Sequence, residues 1–246
     1  MGLLMKIYSI YGLIVFVLIF LILLPFFLMA MFIKPFEKIA ATLNHIWAKS
    51  FFFLMFLNKT SISYEEKLDK NQTYIFCANH ASYLDIPTVG LINHNFKFIG
   101  KSSLKKVPLW GYMYGRIHIL VNRNSMKSKY ASLQKVREAL NKGFSVVFFP
   151  EGGIVSKKLP QMGRFKEGSF RLAVEEKIPI VPITIPSNHK ILPDEMPLNI
   201  RLGTISIKVH KPIYPESNSD KAVKDLKDKV TRIMQEEINK ENNLSS

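Results

Sequence analysis

From Ile7 to Ile33 the chain carries no charged residue. A helix needs about 20 predominantly apolar residues to cross the hydrocarbon of a bilayer, and this run exceeds that length. It is also too long for the apolar region of a secretory signal, and no small-residue cleavage pattern follows Ile33. The segment reads as a retained membrane anchor. Pro25 falls late in it, which leaves two shapes open: a kinked spanning helix or a re-entrant one. Beyond Lys34, the apolar residues Phe36, Ile39, Leu43, Ile46 and Trp47 recur at helical spacing before the aromatic-rich stretch Phe51 to Leu57. Periodicity alone fits an amphipathic core helix equally well, and the neighbouring apolar run points instead to a helix at the bilayer interface. Residues 1–57 are therefore expected to form a membrane-embedded helix pair. Lys34, Lys38 and Lys49 outnumber Lys6, so the positive-inside tendency places the remainder, 58–246, on the cytoplasmic face.

The charge balance asks for an anionic partner. There are 34 Lys and Arg against 19 Asp and Glu, a formal net charge of +15. Nucleic acid, an anionic membrane surface and a phosphorylated substrate all satisfy that demand. Between Ile86 and Arg137 the Lys and Arg residues include Lys97, Lys101, Lys105, Lys106, Arg116 and Arg123, with no Asp or Glu among them. No recognition-helix, zinc-finger or ribonucleoprotein pattern accompanies them, so no nucleic acid is expected and lipid is the better partner. A hydrophobic content of 48% excludes a disordered chain, and the single cysteine, Cys77, excludes a disulfide framework. Cys77 lies among apolar neighbours and reads as a core residue. His80, His94 and His189 are too scattered to suggest a metal site.

The stretch 58–71 is polar and reads as a junction. After it, short β-type runs at Thr73 to Cys77, Phe96 to Ile99, Ile117 to Val121 and Phe144 to Phe149 precede a strand from Ile178 to Ile185. Helical periodicity connects Tyr130 to Leu140, covers Lys166 to Glu176, and returns at Val223, Leu226, Val230 and Ile233. Ile205, Ile207 and Val209 alternate as a strand, and His118 and His210 sit on strands without needing a function. The order argues for an α/β fold, a partly parallel sheet flanked by helices. In such sheets chemistry gathers where chains leave the carboxyl ends of strands. Two loops qualify, Asn79 to Asp85 and Pro150 to Gly153.

His80 and Asp85 would lie about 140° apart on an ideal helix and on opposite faces of a strand, so contact requires a turn between them. Asp85-Ile86-Pro87 supplies one, because it resembles a helix start with proline in the first turn. A carboxylate on one ring nitrogen would hold the imidazole and stabilise its protonated form, leaving the other nitrogen to take a proton from a bound hydroxyl. The competing reading is plainer: Asp85 caps the helix and His80 is a satisfied loop residue. The pair alone favours the plainer reading.

The wider pattern changes that weighing. Asn79-His80 followed after four residues by Asp85, then Gly100-Lys101-Ser102-Ser103-Leu104 with Asn122-Arg123 beyond, then Phe149-Pro150-Glu151-Gly152, then Val181-Pro182-Ile183, occur in that order. In this the chain resembles the lysophosphatidic acid acyltransferase family of glycerolipid synthesis, over Thr73 to Ile185. The resemblance implies His80 and Asp85 as the catalytic pair. It also implies a substrate-binding set of Asn79, Lys101, Arg123, Glu151 and Gly152. The family's third block ends in Thr-Arg, where this chain has Gly153-Ile154. The arginine assigned to the substrate phosphate is thus absent, and one of Lys157, Lys158 and Arg164, with Lys101 and Arg123, is expected to replace its charge.

The expected reaction moves a fatty acyl group from an acyl thioester, coenzyme A or acyl-carrier protein, to the sn-2 hydroxyl of lysophosphatidic acid, giving phosphatidic acid. No resident cofactor and no metal are implied. The rivals are an acyltransferase for another lysolipid such as lyso-ornithine lipid, a thioester hydrolase, and a non-catalytic basic protein of the membrane surface.

Overall fold

A computed structural model describes residues 3–33, 36–55, 58–156 and 158–243. Two helices, α1 (Leu3–Phe32) and α2 (Ile39–Leu54), come first. Then follow β1 (Asn58–Tyr64), β2 (Ile75–Ala78), α3 (Asp85–Val89), β3 (Phe96–Lys101), a 3-10 turn at Ser102–Lys106, α4 (Trp110–Ile117) and β4 (Ile119–Val121). The chain continues with α5 (Met126–Asn141), β5 (Ser145–Phe148), α6 (Gly168–Glu176), β6 (Ile180–Thr184), α7 (Asn188–Ile191), β7 (Gly203–Val209) and α8 (Asp220–Glu241).

Among the described residues seven strands join one sheet in the order β1-β7-β6-β2-β5-β3-β4. Strands β6, β2, β5, β3 and β4 run parallel, and β7, which carries β1, runs antiparallel to β6. The central strands are short, continuous apolar runs because both faces are covered. Side chains alternate between the faces. Ile75 and Cys77 enter one core with Val136 of α5, Phe170 of α6 and Val230 of α8, while Phe76 and Ala78 enter another with Val89 and Tyr114. Burial pushes the Cys77 thiol up to about 12, so it stays protonated and unreactive in the core. Pro182 is tolerated in a central strand because β7 pairs with β6 only at Ile183 and Thr184, and the Pro182 carbonyl still accepts from His210 N at 3.0 Å.

Two expectations need correction. The polar junction is in part a strand: Thr60 to Tyr64 lie in β1, paired in register with Ile205 to Val209 of β7. An exposed edge strand has no buried face, so it carries no apolar signature. The strand expected from Ile117 begins two residues later, because Ile117 closes helix α4 and His118 is that helix's C-cap rather than a strand residue.

His118 is buried, accepts from Phe98 N at Nδ1 (3.3 Å), and has Nε2 3.4 Å from the Asn44 side-chain amide of α2. Burial, reinforced by nearby Lys97, drags its pKa down to about 3. An unfolded-state histidine titrates near 6.5, so between those values the unfolded chain binds a proton that the native ring refuses. Stability is therefore expected to fall as pH drops below about 6.5. Thermal unfolding in detergent should show a steeper loss for the wild type than for His118→Gln between pH 6.5 and 4.5. Parallel curves would exclude this source of acid lability.

Helix α1 is continuous through Pro25, and among the described residues it alone is long and apolar enough to cross a membrane. Its inner face packs on α2 and on the sheet domain from Ser9, whose hydroxyl accepts from Ile200 N at 2.9 Å, to Ala30, clustered with Met113 and Ile117 of α4. Its outer face, including Leu4, Leu18, Leu21, Ile22 and Phe26, is bare. Exposed apolar area on that scale has no place in water.

Candidate active site

Residues past the carboxyl ends of the parallel strands build the site. The turn after β2 carries His80, and α3 begins at Asp85 with Pro87 in its first turn, as the spacing required. His80 Nδ1 lies 3.0 Å from Asp85 Oδ2. The same oxygen accepts from the backbone N–H of Ala81 at 2.7 Å and Ser82 at 2.8 Å, and Oδ1 accepts from Asn188 Nδ2 at 3.0 Å. Asp85 has no exposed side-chain surface, whereas His80 keeps 12%. Oδ2 already accepts from two backbone N–H groups and acts as an acceptor toward the ring as well. Nδ1 therefore carries the ring proton, and Nε2 presents a lone pair with no hydrogen-bond partner among the described residues. The ring is further held by Phe149, stacked with centroids 4.3 Å apart.

Asn79 is buried after β2. Its Nδ2 donates to the Ile185 carbonyl at 2.9 Å and its Oδ1 accepts from Ile185 N at 2.7 Å, tying the ends of β2 and β6 together. Glu151, past β5, accepts from His80 N at 2.8 Å through Oε1 and from Gly163 N at 2.7 Å through Oε2. Burial raises the Glu151 pKa, and those two backbone donors oppose the rise. Both residues thus brace the loop that carries His80.

The Arg123 guanidinium reaches from beyond β4 to donate to the Gly152 carbonyl. Gly152 and Gly153 have φ of +86° and +151°, values side chains rarely adopt, which accounts for glycine where the resembled family has threonine. Lys101 is exposed at the end of β3, its Cα paired with Val121, and Arg164 is exposed beside Gly163. Lys157 lies outside the described residues. Lys166, which the motif reading did not single out, packs against Gly152 so closely that a Cβ there would collide with it.

Two apolar cavities flank this loop. One, about 610 Å³, is walled by Tyr83, Leu84 and Pro87 with Leu13 and Phe16 of α1 and Leu192; the other, about 270 Å³, shares Phe16, Tyr83 and Pro87 and extends to Trp47, Trp110 and Met113. His80 itself lines neither, but both share walls with the segment between His80 and Asp85's helix.

The site thus combines a carboxylate-held imidazole with apolar cavities on the neighbouring segment. Residues 59–186, about half of the chain, match the model of the family described as Acyltransferase. The chain belongs to the acyltransferase family. It is 32% identical over 211 residues to a 1-acyl-sn-glycerol-3-phosphate acyltransferase of Chlamydomonas reinhardtii, covering 82% of this chain and 62% of that one. A chloroplastic 1-acyl-sn-glycerol-3-phosphate acyltransferase of Brassica napus is 30% identical over 82% of this chain and 59% of its own length. The chain thus spans about three-fifths of these relatives. The crystal structure of the 1-acyl-sn-glycerophosphate (LPA) acyltransferase from Thermotoga maritima has the same fold, with a TM-score of 0.74 at 21% identity over 97% of this chain and 99% of that one. The acyltransferase match begins at Lys59 and so takes in β1 but neither α1 nor α2.

Asn188 escaped the sequence reading. The available signal was positional: it follows the Val181-Pro182-Ile183 block at the carboxyl end of β6, where the strand-end rule already points.

Proposed function

We propose that this chain transfers an acyl group from a thioester to the sn-2 hydroxyl of lysophosphatidic acid, making phosphatidic acid. The observation that carries the proposal is the His80 Nδ1 to Asp85 Oδ2 contact of 3.0 Å, with Nε2 left without a hydrogen-bond partner among the described residues. Nε2 takes the hydroxyl proton as the alcohol oxygen attacks the thioester carbonyl. Asp85 stabilises the imidazolium that forms. Collapse of the tetrahedral intermediate breaks the C–S bond, and the imidazolium proton goes to the departing sulfur. No acyl-enzyme is involved. The names of the relatives support the acceptor, and the cavities beside Tyr83 supply room for acyl chains.

The bare apolar face of α1 and the exposed cations Lys101, Lys105 and Lys106 support attachment to an anionic membrane surface, with the catalytic part on the cytoplasmic side. Arg123, whose guanidinium donates to the carbonyl of Gly152, two residues before the position that holds arginine in the resembled family, is proposed as the main phosphate ligand.

Purified protein in detergent, given acyl-coenzyme A, should release free thiol only when lysophosphatidic acid is added. Acceptors without phosphate should react poorly, and a preference for them would overturn the acceptor assignment. A charge-assisted hydrogen bond is worth about 1.5–3 kcal/mol, so Arg123→Ala should raise the KM for lysophosphatidic acid by about 10-fold to 100-fold. An equal loss with a phosphate-free acceptor would show that Arg123 serves the Gly152 loop instead.

A further inference from the structure

We propose that Asn188 is a positioning residue for the His80–Asp85 pair, acting from the far side of the carboxylate. The inference rests on the reading of His80 as the base. Asn188 opens α7 immediately beyond β6 and is completely buried. Its Nδ2 donates to Asp85 Oδ1 at 3.0 Å and to Thr88 Oγ1 at 2.8 Å, while its own Oδ1 has no hydrogen-bond partner among the described residues. A buried amide carbonyl left unpaired is uncommon and needs a cause.

The cause lies in what faces the amide. Rotating it by half a turn would set a carbonyl oxygen against a carboxylate oxygen, two acceptors in contact. Thr88 enforces the same sense, because its hydroxyl donates to the Leu84 carbonyl at 2.7 Å and so accepts from Asn188. The amide is locked with its donor on Asp85, and the orphaned oxygen is the result of that lock. Oδ2 of Asp85 is already held by three donors from the His80 to Ser82 turn. Oδ1 has Asn188 alone among the described residues.

Without that donor the carboxylate plane is fixed from one side only. Its charge is also less dispersed, which makes it a stronger partner for the imidazolium and a drag on proton release. Asn188 therefore sets both the orientation and the strength of the base. The other charged or titratable groups around the pair are Glu151, bonded to His80 N, and His189, beside Asn188 on α7. Arg123 and Lys166 stand at Gly152. All four are unchanged in the variants below.

The test uses the whole chain in detergent, with acyl-coenzyme A and lysophosphatidic acid as substrates and ring-labelled histidine for NMR. Asn188→Leu keeps the shape and removes the donor. It should lower kcat about tenfold or more with KM within about twofold, and raise the His80 titration by about half a unit or more, moving the acidic limb of kcat with it. Asn188→Asp separates positioning from packing. Its protonated carboxyl can still donate to Asp85, so kcat relative to wild type should be highest at low pH and fall as that carboxyl ionises beside a like charge. A loss in both variants that is the same at every pH, or an unmoved His80 titration in Asn188→Leu, overturns the proposal. Failure of the base reading looks different: turnover then survives His80→Ala whatever the His80 titration does.

Discussion

Replacing His80 with alanine is expected to lower kcat for lysolipid-dependent thiol release by about 10³-fold, near the middle of the range for losing a positioned general base. The fold should persist. The ring keeps 12% exposure, its stacking on Phe149 is worth about 0.5–1.5 kcal/mol, and Asp85 retains the N–H donors of Ala81 and Ser82 and the Asn188 amide. Circular dichroism and the thermal midpoint should therefore change little while turnover collapses, and the KM for either substrate should stay within a few-fold. Turnover within tenfold of wild type, in a variant with an intact fold, would remove His80 from the chemistry, whereas a wild type that releases no thiol under any of these conditions would favour a non-catalytic protein of the membrane surface. The same experiment discriminates hydrolysis from transfer. A thioester hydrolase would release thiol without lysolipid and lose that release on the same substitution.

How much of this was legible in the sequence depends on the range of the contacts involved. β2, β5 and β6 announce themselves because strands covered on both faces must be apolar throughout. β1 does not, since Thr60, Ser61 and Ser63 face water and its pairing with β7 joins residues 145 apart, as in Tyr64 with Val209. α4 was missed because Gly111 and Gly115 argue locally against a helix. The fold uses one of those glycines for close approach, as a Cβ at Gly111 would run into the backbone of Leu104 and Lys105. At the site, His80 and Asp85 were within reach because one turn joins them. Asn79 and Glu151 come from the motif as substrate-binding residues, and their hydrogen bonds to the backbone of Ile185, His80 and Gly163 join positions 106, 71 and 12 residues apart, which the motif alone does not reveal. Asn188 meets Asp85 across 103 residues, a separation that no spacing rule anticipates.

The Asp85 substitutions are expected to separate stability from catalysis at a single position. Asp85→Ala removes the common acceptor of Ala81 N, Ser82 N, His80 Nδ1 and Asn188 Nδ2 from a fully buried site. Each donor left unpaired costs about 1–3 kcal/mol, so the total approaches the 5–15 kcal/mol that holds a typical domain together, and the variant should unfold or fail to express. Asp85→Asn is different. Its carbonyl oxygen can replace Oδ2 for the three donors of the turn, and its amide nitrogen then meets the Asn188 amide, which can offer its oxygen only by giving up the bond to Thr88, so the loss is confined to that side of the group. The fold should survive with the charge gone. A neutral partner no longer stabilises the imidazolium, and kcat should fall by about 10³-fold to 10⁴-fold. Because the two side chains act as one unit, adding Asp85→Asn to His80→Ala should cost almost nothing further. Losses that multiply instead would mean that Asp85 serves the reaction by a route that does not pass through the imidazole, and the proton transfer from the lipid hydroxyl would need another acceptor.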